Sequence, residues 1–259
     1  MAVLRGEGRR LPAAELDLTV VMPFFNPGPQ LGATVHDVVE VLRATGATFE
    51  VLAVSDGSTD GSEATVASGP AEGVEIIVLP EHAGKGQAVR VGLARGRGRY
   101  LGFIDADGDV PPDLLADFLA VAREREPDGV LGSKRHPRSE VVYPLARRLY
   151  SWGYQQLVRL LFRLQVRDTQ AGIKLLRRDV LEAVLPWMVE HGYAFDLELL
   201  VLARRHGFVD FIEAPVRIGR RFHSTISPRV VLEMLRDTFA IWWRLHVAHA
   251  YGPPASPEG

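Results

Sequence analysis

The first half of the chain alternates short apolar runs with segments of helical periodicity. Apolar runs bounded by turn residues are typical of strands that are buried on both faces of a sheet. The intervening segments space their apolar side chains three or four residues apart, as at Leu31, Val35 and Val38. The pattern predicts five strands, at residues 18–25, 49–54, 74–79, 100–104 and 129–132. It predicts helices between them, at residues 31–44, shortly after residue 61, at residues 87–95 and from Pro111 to residue 121.

Strands that alternate with helices in this way form a mainly parallel central sheet with helices on both faces. The predicted fold class is therefore α/β. Such a sheet binds its ligands at the carboxyl ends of the strands. The loops that follow the first, second and fourth predicted strands carry Asn26, Asp56 and Asp105. We therefore expect one site along that edge, built by the first half of the chain.

The second half is richer in helix. Helices are predicted at residues 143–166, 179–187, 195–205 and 227–246, and strands at residues 169–176 and 209–218. Asp179 and Glu182 have the spacing of a capping box, and Ser227 followed by Pro228 is typical of a helix start. The predicted organisation is a flexible N-terminus at 1–16, one large domain at 17–226 with halves 17–135 and 136–226, an amphipathic C-terminal helix at 227–250 and a disordered tail at 251–259.

Composition excludes several kinds of chemistry. The 259 residues contain no cysteine, which excludes disulfides, thiolate nucleophiles and Cys-ligated zinc. The formal net charge is −2 and no known nucleic-acid motif occurs, so we expect no nucleic acid partner. The N-terminus does not resemble a signal peptide, and no apolar run reaches the roughly 18 residues of a spanning helix. The default expectation is a soluble, cytoplasmic chain.

Three carboxylates lie close together where the fourth predicted strand ends. Asp105, Asp107 and Asp109 repel one another, so they require a cation or wide exposure to solvent. Carboxylate oxygens suit Mg²⁺ or Mn²⁺ that shares its ligand shell with a diphosphate. An EF-hand is excluded, because Val110 stands where that loop requires glycine. A solvated acidic turn before a helix is the alternative interpretation.

Two other loops offer ligand-binding groups. Residues 55–61 (SDGSTDG) provide carboxylates and hydroxyls, although the same residue types also form capped turns. Lys85 lies between two glycines before a predicted helix, where the backbone and the helix dipole favour a phosphate. Neither loop has P-loop spacing, and no GxGxxG follows the first strand, which disfavours a dinucleotide-binding fold.

Seven short motifs follow one another along the chain. They are VMPFFN at 21–26, SDGSTDG at 55–61, GKGQA at 84–88, DADG at 105–108, GSK at 132–134, RDTQAGIK at 167–174 and AFDLELL at 194–200. The first four resemble the family-2 glycosyltransferases of GT-A fold. The last three resemble one subgroup, the polyprenyl- or dolichyl-phosphate sugar synthases, and the glucosyl type more than the mannosyl type. The resemblance covers roughly residues 18–246.

The resemblance implies a GT-A (nucleotide-diphospho-sugar transferase) fold and a role for each loop. Asp56 would contact the nucleotide base, and Asp105 would lie at the ribose and diphosphate. Lys85 would lie close to the nucleotide. Asp107 would bind the metal, Mg²⁺ or Mn²⁺, together with Asp109, although relatives often carry another polar residue at the position of Asp109.

The implied site includes further residues. Asp168 and Gln170 would line the pocket for the sugar and the acceptor. Asn26 belongs to the usual aromatic-Asn pair, but Pro27 replaces the common acidic residue. The expected nucleotide-sugar-binding residues are Pro23, Phe25, Asn26, Asp56, Ser58, Lys85, Asp105, Ala106 and Gln170. The expected catalytic residues are Asp105, Asp107, Asp168, Arg220 and Arg221, and one of the two arginines would clamp a phosphate. A basic loop that faces solvent is the alternative for these arginines.

Arginines and aromatic residues cluster in the second half. Residues 143–167 contain no acid, and Arg159, Arg163 and Arg167 recur at the four-residue spacing of one helical stripe. Residues 238–257 contain no acid either and hold Trp242 and Trp243. Basic amphipathic helices with tryptophan suit the surface of an anionic membrane. The alternative is a solvated arginine face over an ordinary core.

Together these features predict an inverting, metal-dependent glycosyltransferase. It would move a hexose from UDP-glucose or GDP-mannose to a polyprenyl or dolichyl phosphate at the cytoplasmic membrane face, as a peripherally membrane-associated protein. A separate membrane-anchor protein is an open alternative. So are a transferase of the same fold with a non-lipid acceptor and a non-catalytic protein that binds nucleotide sugars.

Overall fold

The computed structural model describes residues 11–67, 72–141, 145–218 and 228–252, without the side chains of 145–149 and 228–229. The strands are β1 (Leu16–Phe24), β2 (Phe49–Ser55), β3 (Val74–Val78), β4 (Gly98–Ile104), β5 (Gly129–Ser133), β6 (Glu140–Val141), β7 (Ile173–Arg177), β8 (Phe211–Pro215) and β9 (Arg217–Ile218). The helices are α1 (Leu31–Ala44), α2 (Glu63–Ala67), α3 (Lys85–Arg95), α4 (Asp113–Arg125), α5 (Leu145–Phe162), α6 (Arg178–Val184), α7 (Phe195–Arg205) and α8 (Pro228–His246), and a 3-10 turn at Leu185–Trp187 follows α6.

Seven strands form one central sheet in the order β3-β2-β1-β4-β7-β5-β8. All neighbours are parallel except β7, which runs antiparallel to both β4 and β5. The prediction of a mainly parallel sheet is confirmed, and the five predicted strands of the first half match to within two residues at each end. A second, two-stranded sheet of β6 and β9 was not predicted, because two-residue strands leave no periodic signal.

The order of the strands decides where a ligand can bind. From β1 the chain adds β2 and β3 on one side of the sheet and then crosses to add β4 on the other. The carboxyl ends of β1 and β4 therefore flank a topological switch point, where loops diverge and leave a crevice. Asn26 follows β1 and Asp105 follows β4, so the predicted site lies at this crevice.

Helices cover both faces of the sheet, as predicted. One core cluster joins α1 and α4 to alternate strand residues such as Val20 and Met22, which are fully buried. The other cluster joins α3, α5, α6, α7 and α8 to the intervening residues, such as Val21 and Phe103. Because successive strand residues point to opposite faces, a strand buried on both faces is apolar throughout.

Both predicted disordered ends are partly wrong. Leu11 is buried and β1 begins at Leu16, so the flexible segment does not extend to residue 16. Tyr251 is 2% exposed and packs in the core, so the tail does not begin there. Residues 1–10 and 253–259 lie outside the described residues. No helix in the described ranges combines the length and the apolar character needed to cross a bilayer.

The predicted capping box at Asp179 is wrong. Helix α6 starts one residue earlier, and its N-cap is Arg177 without a side-chain cap. Asp179 instead lies in the first turn, where it accepts a hydrogen bond from Arg177 Nε at 2.8 Å.

The strand predicted from residue 169 begins at Ile173, because residues 168–172 form a loop. Ser227 lies outside the described residues.

The packing around β4 generates a stability prediction. A Cβ at Gly102 would lie 2.2 Å from the backbone oxygen of Lys174 in the neighbouring strand. Gly102→Ala should therefore lower the free energy of unfolding by about 3 kcal/mol, since overpacking against backbone has no flexible neighbour to displace. The measurement is denaturation in urea.

The control is Gly153→Ala in α5, where a Cβ meets nothing within 4 Å. That change should raise stability by about 0.5–1 kcal/mol, because it removes a glycine from a helix interior. A Gly102→Ala protein as stable as the wild type would contradict the close approach of β4 and β7.

Candidate active site

The loops after β1 and β2 are tied to each other at the edge of the sheet. The Asn26 side chain accepts a hydrogen bond from the Thr59 backbone N–H at 2.8 Å. In return, the Asn26 backbone N–H donates to Ser58 Oγ at 3.0 Å. Asn26 adopts a left-handed backbone (φ 46°), a conformation that asparagine tolerates better than most residues. The structure therefore brings together Asn26 and Ser58, two of the predicted donor-binding residues.

Asp56 organises the neighbouring loop from the end of β2. Its carboxylate is 2% exposed and accepts hydrogen bonds from the backbone N–H groups of Ala83 at 2.8 Å and Gly84 at 2.9 Å. The His82 ring lies 2.9 Å from the second carboxylate oxygen. Asp56 thus holds residues 82–84 in place, and its direct contact with a nucleotide base stays a prediction.

An aromatic ledge lies beside Asp56. The Phe25 ring is half exposed and stacks on His82 with 4.1 Å between ring centroids. Flat, partly exposed rings of this kind offer a surface on which a nucleotide base can stack. His82 was missed as a site residue in the sequence, because only its contacts with Asp56 and Phe25 distinguish it from an ordinary loop histidine.

Lys85 and Asp105 form an ion pair at the centre of the site. Lys85 Nζ lies 2.5 Å from Asp105 Oδ1, and both side chains are about one quarter exposed. Burial opposes the charge on Lys85, but the carboxylates of Asp105 and Asp196 outweigh it and raise the pKa of the lysine. Lys85 is therefore a fixed positive charge at the first turn of α3, which is where a diphosphate is favoured.

Asp107 and Asp109 form the outer part of the acidic loop. Asp107 accepts a hydrogen bond from the Asp109 backbone N–H at 3.0 Å. Although Asp107 reaches solvent, loss of hydration on its protein side and the negative charge of Asp105 raise the pKa of its carboxyl. A cation at this loop would relieve that repulsion.

The carboxylate oxygens of the acidic loop suit a hard cation that is also coordinated by a bound ligand. Within the described ranges no group of three or more His, Cys, Asp or Glu side chains can hold a metal by itself. Mg²⁺ typically takes one or two carboxylates and completes its shell with water and substrate phosphates. Asp107 and Asp109 therefore fit Mg²⁺ or Mn²⁺ in the presence of a diphosphate.

A buried ion pair lies beneath the acidic loop. Lys174 of β7 is fully buried, and its Nζ lies 2.6 Å from Asp196 of α7 and donates to the backbone oxygen of Ala171 at 2.8 Å. Burial raises the pKa of Asp196, while Lys174 and Lys85 lower it in part. Lys174 and Asp196 were not predicted as site residues, although each belongs to a quoted motif.

Asp168 lies in the loop before β7. Its carboxylate is 5% exposed and accepts hydrogen bonds from the backbone N–H groups of Lys134 and Gln170, each at 2.9 Å. Lys134 Nζ donates to the Gln170 backbone oxygen at 2.7 Å. Both carboxylate oxygens are engaged with the backbone, so Asp168 positions Lys134 and Gln170. The Gln170 Nε2 has no hydrogen-bond partner in the part of the chain that the structure describes.

The loop that carries Asp168 lies against the acidic loop, since the Asp105 backbone N–H donates to the Gly172 oxygen at 3.0 Å.

Two predicted binding residues contribute no exposed side chain. Pro23 is buried inside β1, and the Ala106 side chain is 4% exposed in the core, so only their backbone can face a ligand. Arg220 and Arg221 lie outside the described residues.

A cavity of about 520 Å³ adjoins Lys85. Its walls are the loop at residues 82–85, the loop at residues 189–193 and one face of α8, from which Met234 and Asp237 line it. The contribution of α8 was not predicted, because the sequence does not show which side of that helix faces the sheet edge.

The chain matches the family described as Glycosyl transferase family 2 over residues 19–185, more than half of its length. The chain belongs to this family. It is therefore a glycosyltransferase, and the matched range contains the loops of Asp56, Lys85, Asp105 and Asp168.

Curated relatives of this family-2 glycosyltransferase cover most of the chain. A dolichyl-phosphate beta-glucosyltransferase from Drosophila melanogaster is 34% identical over 88% of this chain and 75% of its own length. The yeast protein of the same name, from Saccharomyces cerevisiae, is 29% identical over 74% of this chain and 64% of its own length. These similarities confirm the predicted subgroup, the dolichyl-phosphate sugar transferases.

Solved structures confirm the GT-A fold. Mannosyl-3-phosphoglycerate synthase from Rubrobacter xylanophilus is 18% identical, with a TM-score of 0.71 over 94% of this chain and 78% of that one. Glucosyl-3-phosphoglycerate synthase from Mycobacterium tuberculosis, in complex with Mn²⁺, UDP and phosphoglyceric acid, is 19% identical with a TM-score of 0.68 over 94% and 81%. At this identity the likeness concerns the fold alone.

The buried pair generates a second stability prediction. Lys174→Met should lower the free energy of unfolding by about 3–5 kcal/mol, because it leaves the Asp196 charge buried without its nearest partner. Adding Asp196→Leu should recover most of the loss, since an apolar pair of similar volume replaces the ions. Urea denaturation of both single variants and the double variant measures the coupling. Strictly additive losses would contradict the pairing.

Proposed function

We propose that this glycosyltransferase transfers glucose from UDP-glucose to a polyprenyl or dolichyl phosphate, with inversion at the anomeric carbon. The observation that carries the proposal is the Lys85–Asp105 ion pair beside the solvent-facing Asp107 at the sheet's switch point. The similarity to dolichyl-phosphate beta-glucosyltransferases supports glucose and the lipid acceptor. GDP-mannose is the alternative donor, since the described residues of the site do not select between the two bases.

The reaction follows from simple charge balance. An oxygen of the acceptor phosphate attacks the anomeric carbon, and the bond from that carbon to the donor diphosphate breaks. The bonding electron pair leaves with UDP, whose new negative charge requires stabilisation. A phosphomonoester with a second pKa of about 6 is largely ionised at neutral pH, so the attacking oxygen needs little help from a general base.

The residues of the site divide that task. Lys85 supplies a positive charge that is already held in place, which costs no reorganisation when the diphosphate leaves. Asp107 and Asp109 would hold Mg²⁺ or Mn²⁺, which as a Lewis acid would stabilise the leaving UDP. Asp168 fixes the loop that carries Gln170, a residue that the sequence assigns to the sugar pocket. Arg220 or Arg221 would clamp a phosphate, a role that rests on the sequence.

The acceptor would approach through the cavity beside Lys85. Helix α8 forms one wall of this cavity, and the same helix exposes Leu232, Phe239 and Trp243 to solvent. These three residues are spaced by seven and then four positions, so they lie along one face. We propose that the lipid chain contacts this outer face and that the acceptor phosphate enters the cavity on the inner side of the helix.

Helix α5 packs against α8 and also exposes apolar residues. On α5, Trp152, Arg159 and Leu160 are exposed, and Arg163 is exposed directly after the helix ends. An amphipathic surface with tryptophan and arginine suits the anionic, cytoplasmic side of a membrane, where each basic residue contributes about 1 kcal/mol. We therefore propose peripheral attachment through α5 and α8.

A first experiment tests the reaction and the metal together. Purified protein is assayed with UDP-glucose or GDP-mannose, MnCl₂ or MgCl₂, and a polyprenyl phosphate, with 3-phosphoglycerate as the competing non-lipid acceptor. Asp107→Asn should lower kcat/KM by about 100-fold or more, because metal stabilisation of the leaving group is worth several kcal/mol. Asp117→Asn, an exposed acid on α4, is the matched control and should behave like the wild type.

Unchanged turnover of Asp107→Asn would remove the metal assignment. Transfer to 3-phosphoglycerate with none to the lipid phosphate would replace the proposed acceptor with a non-lipid one. Tight binding of a nucleotide sugar without transfer to either acceptor would favour a binding protein.

A second experiment tests membrane attachment. Replacing Trp243 and Leu232 with Ser should weaken binding to vesicles that contain anionic lipid by about tenfold or more, because each apolar side chain contributes about 1.5–3 kcal/mol when buried. Val209→Ser is the control, since Val209 is 72% exposed outside α5 and α8. Cosedimentation measures the binding. Equal loss in the control, or no binding by the wild type, would contradict direct attachment and favour an anchor protein.

A further inference from the structure

The loop at residues 188–192 presses against the start of α3. The backbone oxygen of His191 accepts a hydrogen bond from the Gln87 N–H at 3.2 Å. The same oxygen would lie only 2.5 Å from a Cβ at Gly84, whose φ of +104° also favours glycine. Because Lys85 is the first residue of α3, the position of this loop fixes the position of Lys85.

Glu198 holds the loop from the opposite side. This glutamate of α7 is fully buried, and its Oε2 accepts hydrogen bonds from the backbone N–H groups of Val189 and Glu190, both at 2.8 Å. Arg90 of α3 donates to the backbone oxygen of Met188 at 2.8 Å, so the loop is bonded to both helices. A buried carboxylate that accepts hydrogen bonds from two consecutive backbone N–H groups fixes the backbone conformation of the loop at those residues.

The other oxygen of Glu198 is held by the end of the described chain. The Tyr251 hydroxyl donates to Glu198 Oε1 at 2.6 Å. Burial and the charge of Glu198 raise the pKa of Tyr251, so the hydroxyl keeps its proton and remains the donor. Arg244 of α8 contacts both Glu190 and Glu198, the latter at 3.6 Å. The cluster therefore joins α7, α8, residue 251 and the loop.

We propose that Glu198 and Tyr251 are positioning residues for sugar transfer: they hold the 188–192 loop against the N-terminus of α3 and so fix Lys85 beside the donor diphosphate. The inference deepens the proposed function and rests on it for the role of Lys85. Neither residue touches the reacting atoms. Their influence passes through backbone hydrogen bonds, from Glu198 to the loop and from His191 to α3.

The cluster also sets one wall of the cavity. Val189, Glu190 and His191 line the cavity, and their backbone is the part that Glu198 fixes. Arg244, which contacts Glu190 and Glu198, belongs to α8. The cluster therefore connects α8, the helix with the exposed aromatic residues, to the loop that borders Lys85. Loosening Tyr251 should therefore affect the donor site even though it lies behind the loop.

Hydrogen exchange tests the positioning without requiring turnover. Amide hydrogen exchange of the peptide that covers residues 84–88 should become about tenfold faster in Tyr251→Phe and in Glu198→Ala. The first variant loses the hydrogen bond from Tyr251 to Glu198, and the second loses the hydrogen bonds from the loop to Glu198, so in both the loop holds the start of α3 less firmly. Tyr100→Phe is the matched control. Its buried hydroxyl donates to the Ala122 backbone oxygen at 2.8 Å in the core cluster on the other face of the sheet from α3, and its removal should leave residues 84–88 unchanged.

Kinetics separate positioning from stability. Tyr251→Phe should raise the KM for the nucleotide sugar by about tenfold, since a displaced Lys85 binds the diphosphate less well. Glu198→Gln should be milder than Glu198→Ala, because the amide oxygen can still accept from the loop. A merely structural defect lowers the amount of folded enzyme, which reduces the apparent kcat and leaves KM unchanged.

Unchanged exchange at residues 84–88 together with an unchanged donor KM in folded Tyr251→Phe would overturn the inference. If Glu198→Ala does not fold, Tyr251→Phe and Glu198→Gln carry the test. If the wild type transfers no sugar, the proposed function fails by itself. In that case exchange, and titration with UDP and Mn²⁺, still decide whether the cluster positions α3.

Discussion

The ion pair between Lys174 and Asp196 is the interaction on which the site depends. It joins the sheet, through β7, to the first turn of α7 directly beneath the acidic loop. The Lys85–Asp105 ion pair lies close to it, so two lysines and two aspartates interact with one another in this part of the structure. Removing one charge from such a set leaves another uncompensated in a poorly hydrated place, which is far more costly than losing a surface pair.

Phe103 lies beside both lysines. Its ring lies 5.2 Å from Lys174 Nζ and 5.9 Å from Lys85 Nζ, so one aromatic side chain contacts both cations. The antiparallel insertion of β7 next to β4 creates this arrangement, since it places Lys174 opposite Phe103. One residue of each pair therefore belongs to the region of two adjacent strands, Lys174 in β7 and Asp105 directly after β4, and the sheet fixes their relative positions.

Much of the fold could be predicted from the sequence because it follows from local pattern. Runs such as residues 49–54 are short, mostly apolar and followed by turn residues, which favours buried strands, and α1 shows a clean helical period. The antiparallel direction of β7 could not be predicted, because strand direction depends on a long connection and leaves no periodic signal. The burial of Tyr251 was missed for a related reason: its partner Glu198 lies 53 residues away.

In the candidate site, too, some residues could be predicted from the sequence and others only from the structure. Asp105, Asp107 and Lys85 could be predicted, since a strand-end position and a residue type suffice to indicate their chemistry. Asp56 was predicted to contact the nucleotide base and Asp168 to line the sugar and acceptor pocket, and both roles stay predictions. Their oxygens are engaged by backbone N–H groups, which only three-dimensional contacts reveal. Lys174 resembles an ordinary strand residue in sequence, and its role appears only when Asp196 is packed against it.

Helix α8 has two constraints that a single amphipathic stripe cannot satisfy. Its exposed face carries Leu232, Phe239 and Trp243, whereas Met234, Asp237 and Arg244 face the cavity and the Glu198 cluster. A helix that only covered a core would need one apolar face and one solvated face. The presence of charged, partnered residues on the inner side of α8 indicates that this side borders a polar site. In the proposed function, the apolar residues on its outer side would contact the lipid acceptor, while its inner side contacts the 188–192 loop through Arg244.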